Sequence, residues 1–116
     1  MPKASCEHLE EHVKVRSLLE QVKPDNVCGE CGHEEENWIC LACGDCFCGR
    51  FINRHMVDHS MEKYHLVALS LSDLSFWCYV CDEYIIHTNP ILHPLYRDAH
   101  KGKFGDYPPG TNESDQ

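Results

Sequence analysis

The chain has no long apolar run, no excess of basic residues, no internal repeat and no low-complexity core segment. Each absence excludes something. No window approaches the roughly 20 apolar residues that cross a bilayer. Met1-Pro2-Lys3-Ala4-Ser5 leads straight into a polar, acidic stretch, without the apolar segment of an export signal. The expectation is an intracellular protein, cytoplasmic or nuclear, in a reducing compartment. Ten Lys and Arg stand against nineteen Asp and Glu, a formal net charge of −9. Nucleic-acid backbones and anionic membranes both want a basic face, so neither is an expected partner. A basic partner suits this charge better.

Core-forming mass is also scarce. The chain has 116 residues, and its 42% hydrophobic content includes nine Cys. That is room for one compact, monomeric domain with little stability left over once chain entropy is counted. Domains of this kind add disulfides or a structural metal. Nine Cys leave one thiol over in any disulfide framework, and nine His have no use in one. Metal is the better reading.

The coarse pattern along the chain is mixed. A helix is expected over Val13–Val22, stopped by Pro24, and a second over Asn53–Ser60 with Asn53 as its N-cap. Strands are expected at Asn37–Leu41, His65–Leu71, Phe76–Tyr79 and Glu83–His87. Ile91–Lys101 reads as a terminal helix despite Pro94. The domain is expected to end near Tyr107, with residues 108–116 a disordered tail rich in turn formers.

The Cys and His residues fall into short-spaced pairs: Cys6/His8, Cys28/Cys31, Cys40/Cys43, Cys48/His55, His59/His65 and Cys78/Cys81. A CxxC turn places two thiolates on one metal, and a structural zinc takes four such ligands. Twelve candidates therefore make three zinc sites. Cys46 has no partner left and reads as a free thiol. His12, His33, His87, His93 and His100 read as surface residues. Spacing leaves the connectivity open. His55 and His59 lie four apart on one helical face and could share a metal, or alternate pairs could interleave.

The stretch Cys28-x2-Cys31-x8-Cys40-x2-Cys43-x4-Cys48-Gly49-Arg50-Phe51, then His55-x3-His59-x5-His65, then Trp77-Cys78-Tyr79-Val80-Cys81, resembles the ubiquitin-specific-protease-type zinc finger. That module occurs in deubiquitinases, in a BRCA1-associated ubiquitin ligase and at the C-terminus of a cytoplasmic class II histone deacetylase. The ending His100-Lys101-x-Lys103-Phe104-Gly105 looks most like the deacetylase version. The resemblance implies an α+β fold, a twisted antiparallel sheet with flanking short helices. It also implies three interleaved Zn²⁺ sites: Cys6, His8, Cys78 and Cys81; Cys28, Cys31, Cys48 and His55; Cys40, Cys43, His59 and His65.

Family members of this kind bind the free C-terminus of ubiquitin, a Leu-Arg-Gly-Gly carboxylate. Two glycines offer only backbone and a terminal charge, so a selective pocket needs flat aromatic walls and hydrogen-bond donors. Trp38, Trp77, Tyr79 and Tyr84 match the family's pocket positions. Arg50 would supply charge-assisted donors to the carboxylate, Gly49 would keep the approach open, and Asp73 would meet the basic tail. Phe51 stands where relatives often carry Tyr, at the loss of a hydroxyl. Without the resemblance, a Trp beside a metal ligand is more often packing than pocket. A catalytic zinc keeps an open position, and twelve ligands on three metals leave none. A non-catalytic binding module is expected, against the alternatives of a purely structural zinc module or a piece of a deubiquitinase or ligase.

Overall fold

A computed structural model describes residues 3–18, 21–23 and 26–109. Its frame is a five-stranded, wholly antiparallel sheet in the order β2-β1-β3-β4-β5. The strands are β1 (Asn37–Cys40), β2 (Cys46–Cys48), β3 (Val67–Ser70), β4 (Phe76–Cys78) and β5 (Glu83–Ile85). Three helices flank them: α1 (Leu9–His12), α2 (His55–Lys63) and α3 (His93–Phe104).

Side chains alternate across a strand, and here the alternation sorts two different jobs. Ile39, Leu69, Phe76 and Ile85 share a continuous buried core with Leu9 of α1 and with Leu92, Leu95 and Ala99 at and within α3. Cys40 and Ala68 belong to the second, smaller cluster, closed by Met56 of α2 and edged by Trp38, Phe47 and Tyr79. Helices thus cover the first face, whereas α2 covers only one end of the second. β3, buried at all four positions, is the central strand that both clusters require.

The expected α3 is present, and Pro94 does not break it because it lies in the first turn, where its missing N–H has no partner to lose. Gly105 closes the helix in the left-handed region, donating its N–H to Lys101 O at 2.9 Å. The strand at Glu83 stops at Ile85, two residues short of the expected His87. Beyond α3 the chain stays packed: Tyr107 lies under Arg97, 4.7 Å from its ring centroid, and Pro108 is buried. The remainder of the expected tail, from Gly110, lies outside the described residues.

Two helix expectations are corrected. Val13 to Leu18 is not helical. Its backbone N–H groups are used elsewhere: Lys14 and Val15 donate to Leu41 O at 2.8 and 2.9 Å, and Leu18 donates to Asp98 Oδ2 at 3.0 Å. Long-range partners outbid the local propensity. The expected stop at Pro24 lies outside the described residues. In α2 the flanking residue is Arg54, in the left-handed region at φ 63°, rather than Asn53, and the helix continues past Ser60 to Lys63. The amide of Asn53 is occupied, since Nδ2 donates to Cys31 Sγ at 3.3 Å.

A repeat absent from the sequence is present in the backbone. The β1–β2 turn closes with Cys40 N–H to Asp45 O (2.9 Å) and Gly44 N–H to Cys40 O (2.7 Å). The β3–β4 turn closes with Ser70 N–H to Ser75 O (2.8 Å) and Leu74 N–H to Ser70 O (2.8 Å). The residues occupying the left-handed position are Gly44 and Leu74, at φ 85° and 60°. Asp73 therefore stands where the first turn has the metal-site Cys43. Its Oδ1 accepts from Ser75 N–H at 3.1 Å and Ser75 Oγ at 2.7 Å. A carboxylate ties the second turn where thiolates of the first converge on a cluster.

Candidate metal centres and binding cleft

Twelve Cys and His side chains converge in three groups of four: Cys6, His8, Cys78, Cys81; Cys28, Cys31, Cys48, His55; and Cys40, Cys43, His59, His65. Within each group the donor atoms lie within 4.8 Å of one another. His55 and His59, one turn apart on α2, face different groups. The loops make this possible: the Cys40 and Cys78 turns hang from the ends of β1 and β4, the Cys28 turn lies in the segment before β1, and each meets donors from another part of the chain.

The separations discriminate between bond types. Cys6 Sγ and Cys81 Sγ are 3.3 Å apart and Cys31 Sγ and Cys48 Sγ 3.9 Å, far beyond a disulfide of about 2.05 Å. Zn–S near 2.3 Å and Zn–N near 2.0 Å place tetrahedral donors about 3.8 Å (S to S), about 3.5 Å (S to N) and about 3.3 Å (N to N) apart. Cys28 Sγ to His55 Nδ1 is 3.4 Å, Cys48 Sγ to His55 Nδ1 3.5 Å, Cys40 Sγ to His65 Nδ1 3.4 Å and His59 Nε2 to His65 Nδ1 3.1 Å. The second and third donor sets fit a tetrahedral zinc; in the first, Cys78 and Cys81 lie 3.6 and 3.4 Å from His8 Nδ1, while Cys6 Sγ sits closer in, 3.1 Å from His8 Nδ1 and 3.3 Å from Cys81 Sγ.

The electrostatics differ among the groups. Burial pushes the Cys6 and Cys43 thiols up to about 12. Burial also acts on Cys28, but the backbone N–H groups of Cys31, Glu30 and Cys48 outweigh it and hold that thiol below its ordinary value. Cys31 is likewise held down, first by the Asn53 amide and then by the His33 N–H. Cys46 stands outside the groups, half-buried, and burial takes it up to about 12.

The open part of the second sheet face is a cleft of about 500 Å³. Trp38, Trp77, Tyr79 and Tyr84 line it from β1, β4 and β5 and the turn between the last two. Trp77 and Tyr84 pack edge to face, with centroids 4.8 Å apart. The Arg50 guanidinium lies 5.7 Å from the Trp77 ring centroid and makes no ion pair among the described residues. Burial pushes Tyr79 up to about 12, with Arg50 pulling the other way. Asp73 and Phe51 stand at the rim, the latter 83% exposed.

Over residues 28–90 the sequence matches the family described as the Zn-finger in ubiquitin-hydrolases and other proteins. The chain belongs to this zinc-finger family. Histone deacetylase 6 of Caenorhabditis elegans is 41% identical over 94% of this chain, which covers 11% of that protein. The BRCA1-associated protein of Mus musculus is 37% identical over 72% of this chain and 13% of its own length. The zebrafish (Danio rerio) ubiquitin carboxyl-terminal hydrolase 44 is 39% identical over 53% and 9%. The chain thus spans roughly a tenth of these relatives. Among solved structures, an essential yeast splicing factor superposes with TM-score 0.62 at 24% identity, over 78% of this chain and 23% of that one. The Ubp8/Sgf11/Sus1/Sgf73 module of SAGA bound to ubiquitin aldehyde superposes at 0.51 and 23%, over 76% and 20%. These two share the fold.

All eight residues singled out for a cleft in this zinc finger do line one. Gly49 lines the cleft and also has a packing reason. A Cβ there would lie 2.9 Å from Trp38 Nε1 and 3.2 Å from Glu36 O, so the glycine makes room for the Trp38 indole. Glu36, Ser70, Ser72 and Ser75 line the cleft as well and were not anticipated. Alternation along β3 could have found Ser70, which falls on the same face as Ala68; Glu36 precedes β1 in the left-handed region, at φ 52°, where no strand pattern reaches it. Of the five histidines read as surface residues, none joins a metal group among the described residues. His12 is nevertheless only 9% exposed, its ring edge-on to Tyr64 at 5.5 Å.

Proposed function

We propose that the domain is a non-catalytic binding module that takes the free Gly-Gly carboxylate end of ubiquitin, or of an unanchored ubiquitin chain, into the aromatic cleft. One Zn²⁺ in each of the three groups, three in all, would act as scaffold. The observation that carries this reading is Arg50, a cation without a counter-ion among the described residues, at the mouth of a cleft walled by two Trp and two Tyr. Flat rings accommodate glycine backbone with no side chain to reject, and a guanidinium pairs a carboxylate bidentately. The names of the relatives, which include a ubiquitin carboxyl-terminal hydrolase, support the choice of guest.

The structural role of zinc follows from which elements the groups join. Cys6 and His8 precede the sheet, while Cys78 and Cys81 end β4 and open the next turn. A metal there would tie the N-terminal segment to the cleft's Trp77. Isotope-edited spectra of the zinc-loaded domain contain two indole N–H resonances, from Trp38 and Trp77. Both are expected to shift on addition of ubiquitin; if neither moves, the cleft is not the binding site.

A further inference from the structure

The segment after α3 doubles back along that helix and sets one tyrosine against two cations. The Arg97 guanidinium carbon lies 4.7 Å from the Tyr107 ring centroid, and Lys101 Nζ lies 5.6 Å from it. Both cations stand on one face of α3, one turn apart. These like charges find no carboxylate. Neither forms an ion pair among the described residues, in a chain of formal net charge −9. The acids closest in sequence are engaged elsewhere: Asp98 Oδ2 accepts from Leu18 N–H at 3.0 Å, and Asp106 Oδ1 lies 3.7 Å from His100 Nδ1. Arg97 Nε is buried without an acceptor among the described residues. Lys101 donates one N–H to Gly105 O at 3.1 Å and has two more to give.

An aromatic face is a weak partner for a cation with water nearby. What this pair lacks is an anion, and the ring it already holds offers a place for one. Tyr107 is 44% exposed and lies outside helix and strand. Its hydroxyl makes no hydrogen bond among the described residues. Tyr64 and Tyr84 are exposed too, but no cation stands over either ring among the described residues.

The geometry points to Tyr107 as a phosphorylation site, with Arg97 and Lys101 as the clasp that holds the phosphate. A tyrosine kinase with Mg-ATP supplies the group. Tyr107 Oη bonds to the γ-phosphorus, the bridging P–O bond to the β-phosphate breaks, ADP leaves, and the hydroxyl proton passes to the kinase's base. The product carries a charge of about −1.5 to −2 and three acceptor oxygens, and a guanidinium pairs such oxygens bidentately. The kinase reaches the tyrosine when residues 105–109 lift from α3. Their polar ties to the helix include His100 Nδ1 to Asp106 O at 2.7 Å and the Lys101 bond to Gly105 O, and a short exposed segment of this kind opens locally at low cost. Once phosphorylated, the closed segment gains bonds that the lifted one lacks, so the modification holds it down. The inference does not depend on what the aromatic cleft binds.

The test is phosphorylation of the zinc-loaded chain by a broad-specificity tyrosine kinase with Mg-ATP. The label is mapped by mass spectrometry, and the product is followed by urea unfolding and by phosphorus NMR titration. Tyr107 is expected to carry the label. Tyr107→Phe should lose it and still unfold at the wild-type urea concentration, since no hydroxyl bond is lost. Phosphorylation should lower the unfolding constant about fivefold, the scale of an ion pair at a surface. It should also bring the phosphate's second ionisation, ordinarily at about 6, to lower pH, because the two cations favour the dianion. Both effects should vanish in the double variant Arg97→Gln with Lys101→Gln. If that variant takes up no zinc, Arg97→Lys replaces it: the charge stays, the fork is lost, and both effects should shrink. Four results overturn the inference: no label at Tyr107, a label placed chiefly at Tyr64 or Tyr84, a phosphate that moves neither its own titration nor the unfolding constant, or effects of wild-type size in the variants.

Discussion

Arg50 and Gly49 sit side by side in the turn after β2 and act in different ways. Arg50 faces the cleft mouth and touches a ring rather than a carboxylate. Arg50→Ala is expected to weaken ubiquitin binding by about 2 kcal/mol or more, with zinc content and circular dichroism unchanged. Arg50→Lys should recover little of this, because an ammonium cannot make the bidentate contact. Gly49→Ala acts through packing. Its Cβ would press on Trp38 Nε1 at 2.9 Å and on a backbone oxygen at 3.2 Å, so the indole must move and the cleft wall with it. Binding should fall although the aromatic walls and Arg50 keep their identity, and the Trp38 indole resonance should shift even without ubiquitin. Asn53 belongs to the zinc story: its amide donates to Cys31 Sγ. Loss of such an outer partner costs about 10–100-fold in metal affinity. Asn53→Ala should therefore lower zinc affinity at the Cys28 group alone, as read by competition with a chelating dye.

Among the elements, the turns carry the most information. Three CxxC turns, at Cys28, Cys40 and Cys78, end in a backbone bond from the residue four on (Gly32, Gly44 and Asp82) to the first Cys carbonyl, at 2.8, 2.7 and 2.8 Å. Each of those residues has positive φ. The side chain at the third is tolerated because Asp adopts this conformation more readily than most. Asp82→Val is expected to cost about 1–2 kcal/mol in denaturant unfolding of the zinc-loaded protein; no change would mean the turn relaxes freely. The spacing made the twelve candidate donors legible: a knuckle needs two Cys three apart, which marks six, and the short-spaced pairs Cys6/His8, Cys48/His55 and His59/His65 mark the other six. It could not divide His55 from His59, because which way a helix residue faces depends on what packs around it. Nor could it expose the hairpin repeat at Ser70–Ser75, where Asp73 and Leu74 replace Cys and Gly and only the backbone bonds are kept. The absence of helix over Val13–Leu18, the first part of the helix expected there, has the same origin. The segment's N–H groups go to Leu41 and Asp98, partners distant in sequence.

For the molecule as a whole, two sheet faces divide the labour. One holds the apolar core under α1 and α3; the other holds Met56, part of the metal-site donors and the cleft. The core is small for its length, and the three groups join segments as far apart as Cys6 and Cys81. Chelation should unfold the domain, visible as loss of its circular dichroism and near-ultraviolet signals. Zinc binding must also displace protons, since burial holds the zinc-free Cys6 and Cys43 thiols up to about 12. Protons and metal compete for the same sulfurs, so metal retention weakens as pH falls. In the Cys28 group the influences oppose one another: N–H donors hold Cys28 and Cys31 down, while burial raises Cys48. The most direct measurement of the central claim is calorimetric titration of the zinc-loaded domain with two ubiquitins, one with a free Gly-Gly end and one with that carboxylate capped or extended. The account predicts saturable binding of the first and loss of binding for the second. Equal affinity for both would contradict it.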